Sequence, residues 1–444
     1  MPHELLVAYE EADITPPRGG SMPGYFNDRK ATGTLDPLWS KVVCLGQGQE
    51  SVALVACDLI GMAAEVVARI RKAVAARCKS PPAHVWVHCT HSHTGGLLPR
   101  SFTSDAEQIY PGFYAGQVDE AWVQEMIERT AAAVVRARGR LAAEQRLTLC
   151  QGRETSVAFC RRYVMRDGTV RTNPGRNNPL VVRPAGTIDP RVHVLHFTSQ
   201  CILIVFYGLH PDTVSGSHYS ADFPHHLTRV LRHALGGATR VLFLNTCCGN
   251  VNHIDIRNAN QRSGPLEARR IGETLALAVL AALRKGEPID DPLLRAQTRA
   301  VTCRLRRPRA EDVKQAAQLL RTYQQTGANP FGFNELFAPA AVVLDRTADR
   351  EHQAEIGALR LGTFGLATMP GEIFVELGEE VEQASPWRPT RTIGLTNGAM
   401  GYIPTRRAYS EGGYEAGYRS ARYEEDTGHR WARTAAELLQ ALAR

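Results

Sequence analysis

Several things are missing from this 444-residue chain, and each absence narrows what it does. No apolar run comes near the ~20 residues that cross a bilayer, so no membrane anchor is expected. The opening Met1-Pro-His-Glu-Leu-Leu-Val-Ala-Tyr9 has no basic stretch followed by an apolar one. No secretory leader is therefore expected, and the cytoplasm is the expected location. Ten cysteines occur, at positions 44, 57, 78, 89, 150, 160, 201, 247, 248 and 303, but no two are in C-x-x-C spacing. Neither a thiolate zinc site nor a redox pair is suggested, and the thiols are expected to be small buried hydrophobes. There is no basic tail and no lysine-rich run. The net charge of +7 comes from dispersed arginines, and nucleic-acid binding, which needs a concentrated basic patch, is not expected. Internal repeats and low-complexity tracts are also missing.

What is present is an ordinary globular composition, 43% apolar and 22% charged, over a length that can build a large core. Short apolar runs alternate with helical periodicity. Strands are expected at 5–9, 38–45, 51–58, 85–87, 147–152, 191–197, 202–207, 241–244, 293–305, 359–369 and 392–396. Helices are expected at 63–77, 122–138, 222–234, 266–284, 310–325, 373–382 and 430–442. The stretches 97–116, 326–340 and 402–414 read as loops, the first long enough to be a lid, and 346–353 as a charged exposed segment. No linker stands out. The expected fold is α/β, mixed β-sheets flanked by helices, in one large domain spanning 1–444.

The chemistry concentrates in Val85-Trp-Val-His-Cys-Thr-His-Ser-His-Thr-Gly-Gly96, a buried strand that ends in a polar loop carrying His88, His91 and His93. Side chains at i and i+2 of extended backbone point the same way, so His91 and His93 can face one point. Neutral imidazole is the commonest metal ligand. Further strand ends carry His210, Glu372 and a tyrosine-rich loop from Tyr402. Two histidines with one carboxylate are a common catalytic zinc set that leaves a position open. His218, His225, His226 or His253 can substitute for one of these, and spacing does not choose. Asp58 is a carboxylate at a strand end, either a substrate contact or a helix N-cap. The turn Asn245-Thr-Cys-Cys-Gly-Asn-Val-Asn252 has the small residues of a backbone turn that offers N–H groups to a ligand, with Gly249, Asn250 and Asn252 as candidate contacts. Cys248 with a nearby histidine is an alternative nucleophile.

Eight segments, in order, resemble the catalytic domain of the neutral (non-lysosomal) ceramidases, zinc amidases that cleave N-acyl sphingosines. They are Ala12-Asp-Ile-Thr15, Gly24-Tyr25, Thr90-His-Ser-His-Thr-Gly-Gly96, Cys160-Arg161, His210, Cys247-Cys-Gly-Asn-Val-Asn252, Pro370-Gly-Glu372, and Tyr402 with Tyr414. The resemblance implies one Zn2+ per chain held by His91, His210, Glu372 and Tyr402. It implies that His93, Arg161 and Tyr414 act on the substrate carbonyl or on water. A plainer role for Tyr402 is a loop residue packed on the site wall. Asn252 stands where the family carries a serine, and the family's C-terminal β-sandwich and a membrane-docking surface are not found in the sequence. The resemblance therefore points to hydrolysis of a soluble N-acyl compound. An esterase or lactonase, an amide-forming acyltransferase and a non-catalytic homologue are the other readings. A homo-oligomer is compatible with all of them.

Overall fold

The computed structural model describes residues 4–25, 27–99, 116–326 and 338–443. Its architecture follows from strands covered on both faces. In Trp39–Gln47, Val42 and Cys44 face one apolar cluster while Val43 and Leu45 face another. Glu50–Cys57 is split in the same way, Ala53 and Val55 against Val52 and Leu54. Burial on both faces explains why these strands read as unbroken apolar runs rather than alternating ones.

Three sheets share the central core. The first orders Ala142–Ala143, Leu6–Asp13, Trp39–Gln47, Glu50–Cys57 and His84–Cys89, the last pair parallel. The second orders Glu287–Pro288, Leu147–Arg153, Arg191–Phe197, Ile202–Tyr207 and Arg240–Asn245, again with the last pair parallel. The third orders Leu294–Arg304, Glu351–Leu361, Phe364–Thr368 and Thr390–Ile393, once more ending in a parallel pair. Leu45, Leu54 and Trp86 of the first sheet pack with Leu149, Phe206 and Leu244 of the second and Leu359, Phe364 and Ile393 of the third. Helices cover the outer faces. Ala64–Arg77 and Glu120–Gly139 lie on the first sheet, Phe223–Leu235 and Pro265–Leu283 on the second, and Val375–Ala384 and Thr427–Ala441 on the third. This is the mixed α/β arrangement expected.

Several segments differ from the sequence expectation. The run 359–369 is not one strand: Gly362, with φ +59°, turns Glu351–Leu361 back into Phe364–Thr368. A largely apolar run with Gly362-Thr363 at its middle hides such a hairpin. The first strand runs on to Asp13 rather than ending at residue 9. Ala338–Thr347 is a helix with Ala340, Val343 and Leu344 buried, and Glu351, inside the segment expected to be an exposed charged stretch, starts a strand. The loop at 402–414 contains the strand Tyr402–Ile403 and the helix Arg406–Glu411, capped by the Thr405 hydroxyl. Most of the lid expected at 97–116, and 327–337 of the loop expected at 326–340, lie outside the described residues. No helix among the described residues is long and apolar enough to cross a membrane.

Candidate metal centre

Each parallel strand pair ends on the same side, and the ends supply the site. His84–Cys89 delivers Thr90 and His91. Cys89 N–H donates to the Leu395 carbonyl at 3.1 Å and Val87 N–H to the Asn397 side chain at 2.8 Å, so the third sheet's loop clamps this strand end. His91 is held at φ 78°, a left-handed backbone that costs a non-glycine residue energy and that clusters at functional sites. Ile202–Tyr207 leads to His210. Asn245, at the end of Arg240–Asn245, ties the two together: its amide donates to the carbonyls of Thr90 (3.1 Å) and Leu209 (2.9 Å). Glu372 arrives on a short strand that pairs in parallel with Tyr402–Ile403, placing Glu372 opposite Tyr402.

The side chains converge. His91 Nε2 lies 3.0 Å from His210 Nε2 and 3.3 Å from His93 Nε2. Glu372 Oε2 lies 3.3 Å from both His91 Nε2 and His210 Nε2. The Tyr402 hydroxyl is 3.4 Å from His210 Nε2. Each imidazole is anchored through its other nitrogen: His91 Nδ1 to the Ile60 carbonyl (2.6 Å), His93 Nδ1 to that of Gly24 (3.0 Å), His210 Nδ1 to that of Cys248 (3.0 Å). A carbonyl only accepts, so the proton is on Nδ1 and each Nε2 presents a bare lone pair. Among the described residues, Glu372 Oε2 is buried without a hydrogen-bond partner. Three lone pairs and a carboxylate oxygen facing one another repel unless a cation sits among them. Nitrogen and oxygen ligands at about 2.0–2.1 Å from a tetrahedral zinc lie about 3.3 Å apart, close to the spacings found here. The residues present therefore fit a divalent metal, and His91, His93 and His210 form a group able to hold one.

Ionisation follows the same geometry. Burial, and then Arg161, lowers the pKa of His210. Burial, and then His91, brings that of His93 down to about 3. Burial alone would raise Glu372, but the neighbouring His91 and His210 hold it well below the usual carboxylate range. Burial pushes the Tyr402 hydroxyl well above its ordinary value against the pull of Arg161.

Arg161 is buried beside the cluster. Its guanidinium carbon lies 5.2 Å from the Tyr402 ring centre and 6.0 Å from that of Tyr414, and the two tyrosine rings are 5.5 Å apart. The Arg161–Glu415 ion pair, at 2.8 Å with Glu415 fully buried, fixes the guanidinium. Glu415 and Asn245 carry no signature of their own in sequence; a buried carboxylate 254 residues along the chain from its arginine is legible only in the fold.

Each of the four expected substrate contacts makes hydrogen bonds within the protein. Asp58 accepts from Trp39 N–H (3.0 Å) and the Thr90 hydroxyl (3.3 Å), supporting the strand end from behind; Ala63, not Asp58, occupies the helix N-cap position. Gly249 N–H donates to the Ile373 carbonyl, so it is not open to a ligand. Asn250 accepts from Val375 N–H and donates to Glu376. Asn252 bonds Asn173 and Ile254. Cys248 is buried, and burial together with Glu372 keeps its thiol well above the ordinary pKa, which argues against a thiolate nucleophile. Nor does distance separate His93 from the four groups assigned to the metal. Of the substitute ligands, His253 bonds Asp212 and His225 faces Asp36, neither touching the cluster.

His88, the remaining histidine of the strand, is structural. Its Nδ1–H donates to the Gly394 carbonyl (2.8 Å) and its Nε2 accepts from Asn245 N–H (3.1 Å). Burial lowers its pKa to about 4. The unfolded chain takes up this proton below about pH 6.5 while the folded chain resists until about pH 4. Stability present above about pH 6.5 is therefore lost as pH falls toward 4, by about 3 kcal/mol from this residue. Thermal unfolding of wild type and His88→Gln over that window checks it: the wild-type curve should fall more steeply, and parallel curves would refute the assignment.

A scan against protein-family models and a sequence search of curated proteins found no match. Among solved structures, the chain is similar to neutral ceramidase from Pseudomonas aeruginosa, with TM-score 0.72 and 18% identity over 99% of this chain and 74% of that one. It is likewise similar to a ceramidase complexed with C2, with TM-score 0.72 and 16% identity over 99% of this chain and 75% of that one. With its sheets, its helices and its converging strand ends, this chain has the neutral ceramidase fold.

Proposed function

We propose that this protein is a zinc-dependent hydrolase that cleaves the C–N bond of an N-acyl substrate, with one Zn2+ per chain held by His91, His210, Glu372 and Tyr402. The observation that carries this is the cluster of Nδ1-anchored imidazoles whose free lone pairs converge on the unpartnered Glu372 oxygen. The likeness to ceramidase structures supports an amide as the substrate. Zinc in such a site polarises a carbonyl and lowers the pKa of water toward ~7. The chain's own groups do the rest. Arg161, held by Glu415, and Tyr414 donate hydrogen bonds to the carbonyl oxygen as it gains negative charge. His93, its Nδ1–H anchored on the Gly24 carbonyl, turns its Nε2 toward the cluster, where it takes a proton from water and then passes it to the departing nitrogen. Glu372 stays ionised and Tyr402 limits the cluster on the Arg161 side.

The test is a panel of short-chain acyl amides and matched esters, assayed with zinc-loaded protein of measured metal content. Turnover of amides with about one zinc per chain is expected. Strict preference for esters would overturn the amide reading, and activity in metal-free protein would overturn the zinc reading.

A further inference from the structure

A second polar pair adjoins the centre. Asp212 follows His210 and Pro211, and the His93 N–H donates to the Pro211 carbonyl at 3.2 Å. The main chain thus ties Asp212 to both histidines. Its Oδ1 pairs with His253 Nδ1 at 3.0 Å. His253 belongs to the other loop and is itself held, its carbonyl accepting from Gln261 at 2.6 Å. Its side chain is 9% exposed, whereas that of Asp212 is 20% exposed. Among the described residues the second oxygen, Asp212 Oδ2, has no hydrogen-bond partner. One edge of this carboxylate is fixed by a buried imidazole, and Asp212, His93 and Glu372 are all partly exposed.

Its position relative to the bond being cleaved follows from which groups touch which. The carbonyl donors Arg161 and Tyr414 contact Tyr402. His93 contacts His91 and Tyr25 instead, and Asp212 is its chain-linked neighbour. With the carbonyl oxygen at the Tyr402 side, the leaving nitrogen lies toward His93 and Asp212. A carboxylate there attracts a cation and repels an anion, and a charge-assisted hydrogen bond is about twice as strong as a neutral one.

We propose that Asp212, oriented by His253, is a specificity residue that binds a protonated amine on the amine side of the scissile bond, so that the preferred substrates are N-acylated amines carrying a second, cationic nitrogen. This rests on the hydrolase reading given above. The experiment is calorimetric binding of N-acetylethylenediamine and of its neutral isostere N-propylacetamide to zinc-loaded wild type and Asp212→Asn. Wild type should bind the ammonium ligand about tenfold or more tightly than the isostere. In Asp212→Asn the preference should vanish while affinity for the isostere stays within about threefold of wild type, and Asp212→Glu should restore part of it. A wild type with no preference, or an Asn variant that keeps it, overturns the proposal; the wild-type comparison stands even if the variant loses zinc. Because binding is read without turnover, a protein that prefers the ammonium ligand but hydrolyses neither keeps the subsite and sinks only the hydrolase reading.

Discussion

His210→Ala is expected to lower kcat/KM by at least about 10³-fold and to take the zinc with it. Loss of an outer partner of a zinc ligand already costs about 10- to 100-fold, and His210 is itself a member of the cluster. It is fully buried, anchored on the Cys248 carbonyl, and in contact with His91, Glu372 and Tyr402 at once. Chelation of the wild type should have the same kinetic effect and should also destabilise the fold, since ligand bound at 100 times its Kd contributes about 2.7 kcal/mol. The variant, having no zinc left to lose, should lose less stability on chelation than wild type does. Asn245→Ala is the control. It frees the Thr90 and Leu209 carbonyls without touching the metal, so its effect should stay in the 10- to 100-fold range. Metal content by elemental analysis, kcat/KM and melting temperature with and without chelator decide the matter. A His210→Ala protein that keeps both zinc and most of its activity would remove His210 from the centre.

How much of this was legible in the sequence depends on how local each feature is. The strands of the first and second sheets announce themselves because both faces are buried, and His91 and His93 announce themselves through their spacing. His210 is visible as a histidine at the end of an apolar strand. Its meeting with His91 is not, because that requires two different sheets to end at one place and Asn245 to bridge them. Glu372 and Tyr402 become neighbours through a two-residue parallel pairing that no periodicity reveals. In sequence both were strand-end candidates that the resemblance assigned to the metal, and the structure brings both to the cluster. The resemblance also drew a line between His93 and the ligands that the distances do not draw, His93 Nε2 being as near to His91 as Glu372 is. Asp212 stood next to His210 in plain view, but a carboxylate after a proline in a loop has many uses, and only the His253 contact singles it out.

Gly249→Ala carries the second large effect, and its mechanism is steric. As sequence, a glycine in a small-residue turn after a strand looks like backbone offered to a ligand. In the structure its N–H is already bonded to the Ile373 carbonyl and its own carbonyl accepts from Arg161 at 2.8 Å. Its φ lies outside the left-handed region, so alanine meets no conformational penalty. The obstacle is the neighbouring strand: a Cβ here would overlap the Glu372 carbonyl oxygen and stand 3.0 Å from that of Ile373. Both obstructing atoms are backbone, so neither swings aside, and Glu372–Ile373 must move away from the turn. That displaces the Glu372 carboxylate from His91 and His210 and drags the Arg161 guanidinium off its carbonyl. Overpacking of this kind costs about 1–3 kcal/mol, and a misplacement of about 1 Å at a catalytic group costs about 10²-fold in rate. Gly249→Ala should therefore melt several degrees lower, hold zinc more weakly and lose about 10²-fold in kcat/KM. Gly168→Ala, at a turn where the added Cβ meets nothing within 4 Å but φ is +79°, should lose stability alone. If Gly249→Ala instead matches wild type in zinc affinity and rate, the close approach of these two segments does not set the position of Glu372, and the proposed geometry of the centre fails with it.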